Sequence, residues 1–449
     1  MTLAFSPAET SPYVRALLRD QGIADGSLDL AIDERDEMLS FLVQSHDGDR
    51  ERALFAYFRS GLSIADSMTQ ILRWRFGSLA GFGSLLDFAS GYGRVTRFFL
   101  RDLPAERVWV SDVYADGVRF QEERFGVRGI VSTVRPEDFL PSERFDAIAV
   151  TSLFTHLPDV RFVGWLRVLL GLLRPGGVLV FSVHGEEVLC PGQSVPPEGI
   201  LFQQLSESGS LDTSDYGSTW VTEEYVRGAV ARAALAENEP VSVHRLPRGL
   251  CNFQDLYIAV RQGGVDFSGL DFQGEPQLQI DECSLAGPDA LRMRGWTLVR
   301  SGGVQGVEAT LDGALLGAVP VEAPRPDVAD LFGARFSHPG WSGLFPLPPG
   351  APRREAVLIV RVVDARGRGV PLWASSIEGL LLSSSRQEAA HLRNVIADLQ
   401  ARMEMVEARA AGDREFFTAR IAGMEASRFW KMRTVWFRVR EALGIREKG

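Results

Sequence analysis

The 449-residue chain has little cysteine: Cys190, Cys251 and Cys283 are odd in number and far apart. Such spacing builds neither a disulfide framework nor a zinc knuckle, and it suits a reducing compartment. No apolar run reaches the roughly 18 residues that cross a bilayer. The opening residues, MTLAFSPAETSPYV, lack a basic stretch and carry only a short apolar one, so no secretory signal is expected. An excess of positive charge is also missing. The 48 basic and 58 acidic residues leave a net −10, which argues against a nucleic-acid partner. The expected location is the cytoplasm.

What is present is enough length for two or three domains and a globular composition, 45% hydrophobic and 24% charged. Residues 1–80 read as a helical cap, because DERDEMLSFLV and RERALFAYFRSGLSIADSMTQILRWRF place apolar residues at three- and four-residue steps. From 81 to 262 short apolar runs (SLLDFA, RVWVSDV, GIVSTV, FDAIAVTSLF, GVLVFSVHG) alternate with helix-like stretches. That alternation predicts a mostly parallel sheet with right-handed crossovers. PVSVHRL and DLYIAVR, close together at its end, predict a closing hairpin.

Residues 270–382 change character. Gly- and Pro-broken β-rich runs with no helical period predict a small β-sandwich. Residues 385–426 read as a long helix. Leu392, Ile396, Leu399, Met403, Val406 and Ala410 form a 4-3-4-3-4 seam as far as Asp413, which suits either a self-associating coil or one solvated helix. Residues 427–449 carry a net +5, leaving −15 on the remainder, with Phe429, Met432, Trp436, Val439 and Leu443 on one helical face. A basic amphipathic tail of this kind lies on an anionic membrane, docks in a partner's groove, or packs on its own protein.

The chemistry concentrates in LLDFASGYGR. Gly91 and Gly93 let backbone approach a ligand, and a helix N-terminus follows. A dinucleotide loop needs a small residue where Thr96 stands, and no Gly-Lys-Ser/Thr ending marks a nucleoside-triphosphate site. Asp87 would repel a pyrophosphate but suits the ammonium of an amino-acid moiety. Ala89, in a loop rich in glycine, is expected to keep a negative φ.

These segments resemble a class I S-adenosylmethionine (SAM) dependent methyltransferase over roughly residues 50–262. Asp87–Gly93 resembles that family's D-x-G-x-G-x-G loop with Ala89 in the first glycine place. Asp112 in VWVSDV matches the ribose-binding acid, RFDAIAVTSLFTHLP the fourth-strand motif, and LLRPGGVLVFSVHG the turn and fifth strand. The resemblance implies SAM as cofactor, a Rossmann-like α/β fold, and Asp87, Ala89, Gly91, Gly93, Asp112, Val113, Glu137 and Thr151 as cofactor-binding residues. Glu137 competes with Asp138 for the adenine, and either is equally a turn carboxylate.

Methyl transfer needs donor and acceptor held in line, and a base only if the acceptor's pKa demands one. His156 is placed to deprotonate a hydroxyl, or else holds its loop through a backbone hydrogen bond. His184, near Glu186 and Glu187, lacks further metal ligands, so no metal is expected. The long segment 186–240 reads as an acceptor lid in which Tyr216 and Trp220 stack on a ring or anchor the loop. The sandwich resembles a module of bacterial glycan-assembly enzymes. There Trp296, Arg325, Asp327 and Trp341 are candidates for glycan contact, with Trp296 equally a core residue and RPD equally a structural turn. The combined expectation is methylation of a saccharide or glycan hydroxyl beside the inner membrane. The alternatives are another small molecule or protein as acceptor, or a non-catalytic scaffold.

Overall fold

In the computed structural model, residues 7–190, 192–205, 211–237, 240–287, 289–348, 356–380, 400, 403, 418–420, 422 and 428–442 are described. The chain divides into two compact units, 1–380 and 381–449.

The apolar run before the glycine loop forms β1 (Leu85–Phe88), buried on both faces as a central parallel strand requires. It pairs in parallel with β2 (Val108–Asp112) on one side and β4 (Phe145–Val150) on the other. β3 (Arg128–Val131) extends the sheet beyond β2, and β5 (Leu173–Gly185) beyond β4. The closing hairpin forms as expected. β8 (Val241–Leu250) and β9 (Gln254–Arg261) run antiparallel, and β9 pairs with β5. Helices α5 (Ala115–Phe125) and α6 (Asp159–Gly171) make the crossovers, and short α4 (Thr96–Phe99) follows the glycine loop.

Segment 186–240 is more ordered than a lid loop. It forms β6 (Ile200–Gln203), β7 (Ser218–Val221) and α7 (Glu223–Glu237). β7 continues the sheet in parallel with the end of β5, through His184 opposite Trp220.

Successive β1 residues feed opposite cores, as the strand period dictates. Leu86 joins a cluster with α6 and α7, whereas Leu85 joins one containing the cap helices α1 (Pro12–Asp20) and α3 (Arg50–Phe76). α3 starts on the Asp49 side chain, which accepts from Arg52 N, and ends at Gly77 with φ 71°. α2 (Glu37–Ser45) is capped in the same way by Asp36.

After residue 276 two antiparallel sheets follow. The first has the order β10 (Gln277–Leu285), β11 (Ala290–Leu298), β14 (Gly340–Pro346). The second runs β13 (Ala314–Val319), β12 (Val304–Leu311), β15 (Val357–Asp364), β16 (Gly369–Ser376). Their facing residues, including Met293, Phe345, Val307 and Val360, share one core. A helix that the β pattern did not predict, α8 (Pro326–Phe332), sits between β13 and β14, with proline at the start of the helix. Trp341 is 2% exposed and belongs to this core, so it offers no surface to a glycan. Arg325 pairs with Asp327 and Asp281, which makes RPD a self-satisfied turn. Trp296 packs on Phe332 of α8.

Val357, Ile359 and Ala374 from these strands also join the α1–α3 core, so that cluster continues from sandwich to parallel sheet. In the second unit, α9 (Arg428–Ala442) is helical and exposes Met432, Val435, Trp436, Phe437 and Val439. Of the coil seam only Met403 is described, helical and exposed. Leu392, Ile396, Leu399, Val406 and Ala410 lie outside the described residues. Among the described residues, no helix is long and apolar enough to cross a membrane.

Candidate active site

The carboxyl ends of the parallel strands β1, β2, β4 and β5 lie along one edge of the sheet, the edge at which parallel α/β sheets bind ligands. Asp87, one residue before the end of β1, is 2% exposed, and Thr96 Oγ1 donates to it at 2.7 Å. Thr96, too large for a dinucleotide loop, is thus the carboxylate's partner. Burial pushes the Asp87 pKa up to about 7, with Asp112 acting the same way and Thr96 and Arg94 opposing.

Ala89 departs from expectation: its φ is 58°. The chain reverses out of β1 here and needs the left-handed region that glycine enters without strain, so the alanine methyl is carried at a cost. Gly91 (φ 56°) and Gly93 (φ 81°) serve different ends. A Cβ on Gly91 would meet nothing within 4 Å, whereas one on Gly93 would strike Phe125 Cε2 at 2.4 Å. Gly91 therefore leaves an open cradle, and Gly93 permits packing on α5.

Asp112, 6% exposed, accepts from Gly91 N at 2.8 Å through Oδ2 and from Tyr114 N at 3.0 Å through Oδ1. Burial raises its pKa, opposed by the backbone N–H groups of Tyr114, Gly91 and Val113. Each carboxylate oxygen retains a second lone pair. Thr151 Oγ1, after β4, is buried without a hydrogen-bond partner. The residues present fit SAM. A buried carboxylate with little compensating charge suits an ammonium, an aspartate with spare lone pairs suits ribose hydroxyls, and the Gly91 cradle admits a ligand. Glu137 stands apart: its side chain is 61% exposed and pairs with Arg161 at 3.6 Å.

Sequence reasoning missed the cap's part in this site. Arg97 is 1% exposed, donates to Gly93 O at 3.0 Å and to Asp29 O and Ala31 O, and lies over the rings of Tyr57, Phe58 and Phe125. Arg35 spans from Asp33 to Asp116 and covers the Tyr92 ring. A lone arginine after a glycine loop gives no local signal of such burial.

Past β4, His156 Nδ1 donates to Gly217 O at 2.7 Å and the ring stacks on Tyr216 at 4.5 Å. Gly217 N returns a bond to His156 O at 2.8 Å, and Thr219 bonds to Thr155 O and Leu157 O. The expected loop-holding bond is therefore present. It also fixes the neutral tautomer with Nε2 as the basic nitrogen. His184 contacts Trp220 and, edge to face, Phe253 at 5.0 Å. Its Nδ1 is buried without a partner, and burial, reinforced by His156, lowers its pKa to about 4. Gln254, at the start of β9, donates to Ser152 Oγ, just past β4, at 3.0 Å. The nearby acids Glu187, Glu223 and Asp255 are all engaged by Arg245.

Residues 86–179 match a family model described as a methyltransferase domain. No curated protein sequence matches the chain. Among solved structures, the sugar N-methyltransferase KedS8 from Streptoalloteichus is similar at 17% identity and TM-score 0.36, over 54% of this chain and 99% of that one. The amino pentose methyltransferase CalS10 from Micromonospora echinaspora is similar at 18% and 0.31, over 44% and 89%. An O-methyltransferase family protein from Burkholderia thailandensis is similar at 18% and 0.33, over 57% and 72%. Residues 86–179, which carry the family match, are thus the parallel-sheet part of a methyltransferase-like domain.

Proposed function

We propose that the chain is a SAM-dependent methyltransferase acting on a hydroxyl of a saccharide or glycan intermediate. The observation that carries the donor assignment is Asp87, a buried carboxylate with little compensating charge, close enough to Asp112 for the two to interact electrostatically. Asp87 would hold the ammonium, Asp112 the ribose hydroxyls, and Gly91, Val113 and Thr151 the walls between them. Bound SAM would supply a sulfonium methyl for in-line transfer to the acceptor oxygen, with S-adenosylhomocysteine as the leaving group. The chain's task is then to hold that oxygen in line and dispose of its proton. His156, held by its Nδ1 bond to Gly217 O, is the candidate to take that proton.

The acceptor reading rests on chemistry around the histidines. Tyr216, Trp220 and Phe253 supply ring faces and edges, Gln254 and Ser152 supply hydrogen-bonding groups, and the local acids are spent on Arg245. A neutral polyol ring suits that lining better than a phosphate or a free ammonium. For α9, exposed Trp436 and Phe437 with Arg433 and Arg440 over their rings support contact with an anionic membrane surface.

Radiolabelled SAM offered with cell-surface oligosaccharides, proteins and lipids tests the acceptor. Label is expected in saccharide, and label in protein alone would reject the glycan reading. Calorimetry with SAM tests the donor, and no binding by the wild-type chain would reject the enzyme reading.

A further inference from the structure

The linker into the β-sandwich ends in a buried stretch, with Phe272, Gln273 and Glu275 all inside. Gln273 exchanges hydrogen bonds with Gln70 of α3 at 2.9 and 3.2 Å, and Gly274 N donates to Ser301 Oγ of the sandwich at 3.0 Å. The Glu275 carboxylate pairs with Arg59 of α3, and its carbonyl accepts from Asn252 Nδ2 at 2.7 Å. One residue thus ties three segments.

Two of those segments lead to residues of the candidate site. Asn252 lies in the β8–β9 turn, where it and Cys251 hold positive φ. The next residues are Phe253, edge-on to His184, and Gln254, bonded to Ser152. On α3, Ser60 beside Arg59 accepts from Arg94 Nη1 at 2.8 Å, and the Arg94 charge acts on Asp87. The same group of charges surrounds Cys251, whose thiol is acted on by Glu275, Arg59 and Arg94.

We propose that Glu275 is a positioning residue of the transferase site, through which the sandwich linker holds the β8–β9 turn, and with it Phe253 and Gln254, in register against α3. This rests on the acceptor-side reading above. The sandwich is then a structural part of the transferase rather than a pendant module, in keeping with the core it shares with α1 and α3.

The test uses the full chain with isotopically labelled histidine rings. Glu275→Gln removes the ion pair to Arg59. Asn252→Gly removes the tether from the turn while keeping a backbone that tolerates positive φ. Arg361→Gln cuts a different pair between sandwich and cap, to Asp20, as a control. The first two variants are expected to displace the His184 ring resonance and leave that of His46 in place, and Arg361→Gln to leave both. An unmoved His184 in both variants, or an equal displacement in the control, would overturn the proposal. S-adenosylhomocysteine affinity of Glu275→Gln, by calorimetry, should stay within about threefold of wild type, and a loss beyond about tenfold would place Glu275 on the donor side instead. Failure of the wild-type chain to bind this probe would sink the methyltransferase reading while leaving the resonance test intact.

Discussion

Ala89 and Ser152, just beyond the carboxyl ends of the adjacent parallel strands β1 and β4, both hold left-handed backbone, at φ 58° and 62°. Strain of this kind concentrates where surrounding structure over-determines it. Ser152 is held by Ser182 Oγ on its N–H and Gln254 on its hydroxyl, whereas the Ala89 methyl gains no comparable bond. Ala89→Gly should therefore raise stability by about 0.5–1 kcal/mol in urea unfolding, since relief of strain exceeds glycine's added chain entropy. An unchanged or lowered midpoint would contradict this.

Asp87 and His184 titrate in opposition. The folded Asp87 pKa is raised from 3.8 to about 7, so between those values the native state holds a proton that the unfolded state has lost, and stability falls as pH rises. The folded His184 pKa is lowered from 6.5 to about 4, so over nearly the same range the unfolded state holds the extra proton and stability rises with pH. Each slope is at most about 1.4 kcal/mol per pH unit, and in the wild type they offset. Measured against wild type, Asp87→Asn should steepen acid destabilisation between about pH 4 and 7, and His184→Gln should do the reverse. Identical pH profiles for all three proteins would refute the pairing.

Asp112→Ala removes the acceptor for Gly91 N and Tyr114 N together with the ribose contacts proposed for it. Affinity for SAM should fall by at least about tenfold in calorimetry. Unchanged affinity would remove Asp112 from the donor site.

His156→Asn separates base from brace. An asparagine amide reaches roughly where Nδ1 sits and can keep the bond to Gly217 O, but it has nothing at Nε2. If His156 is the base, kcat should fall by about 10²–10⁴ with little change in melting temperature. Near-full activity would leave His156 with the bracing role alone.

Removing residues 427–449 should abolish co-sedimentation with anionic liposomes, and added salt should weaken binding of the intact chain. Equal pelleting of both forms would exclude the tail as the membrane contact.

The parallel sheet and its donor end were legible because their signals are local. Apolar runs at regular intervals give strands, and Asp87, Gly91, Gly93 and Asp112 fall within 26 residues of one another. The acceptor side was less legible because its contacts are distant in sequence. His156 meets Gly217 across 61 positions, and nothing in SLFTHLP announces that partner. Arg97 reads as a surface helix residue but is enclosed by three aromatic rings from distant segments. Trp341 reads as a ligand platform because an exposed and a buried tryptophan look alike in sequence. Helix α8 escaped notice because seven residues are too few to show a period.

The seating of α1 on the last sandwich strands bears on how the chain is made. Tyr13 OH accepts from Ser376 N, Arg361 reaches back to Asp20, and Gln21 donates to Gly369 O, spanning 363, 341 and 348 positions. At bacterial elongation rates those partners emerge roughly 20–70 s after α1 does. Until then the apolar side of α1, Val14 and Leu17 included, lacks the part of its core that Val357, Ile359 and Ala374 supply. Helix α1 thus leaves the ribosome well before its contacts are complete, so a nascent chain stalled before β15 should engage chaperones in a way that the finished protein does not.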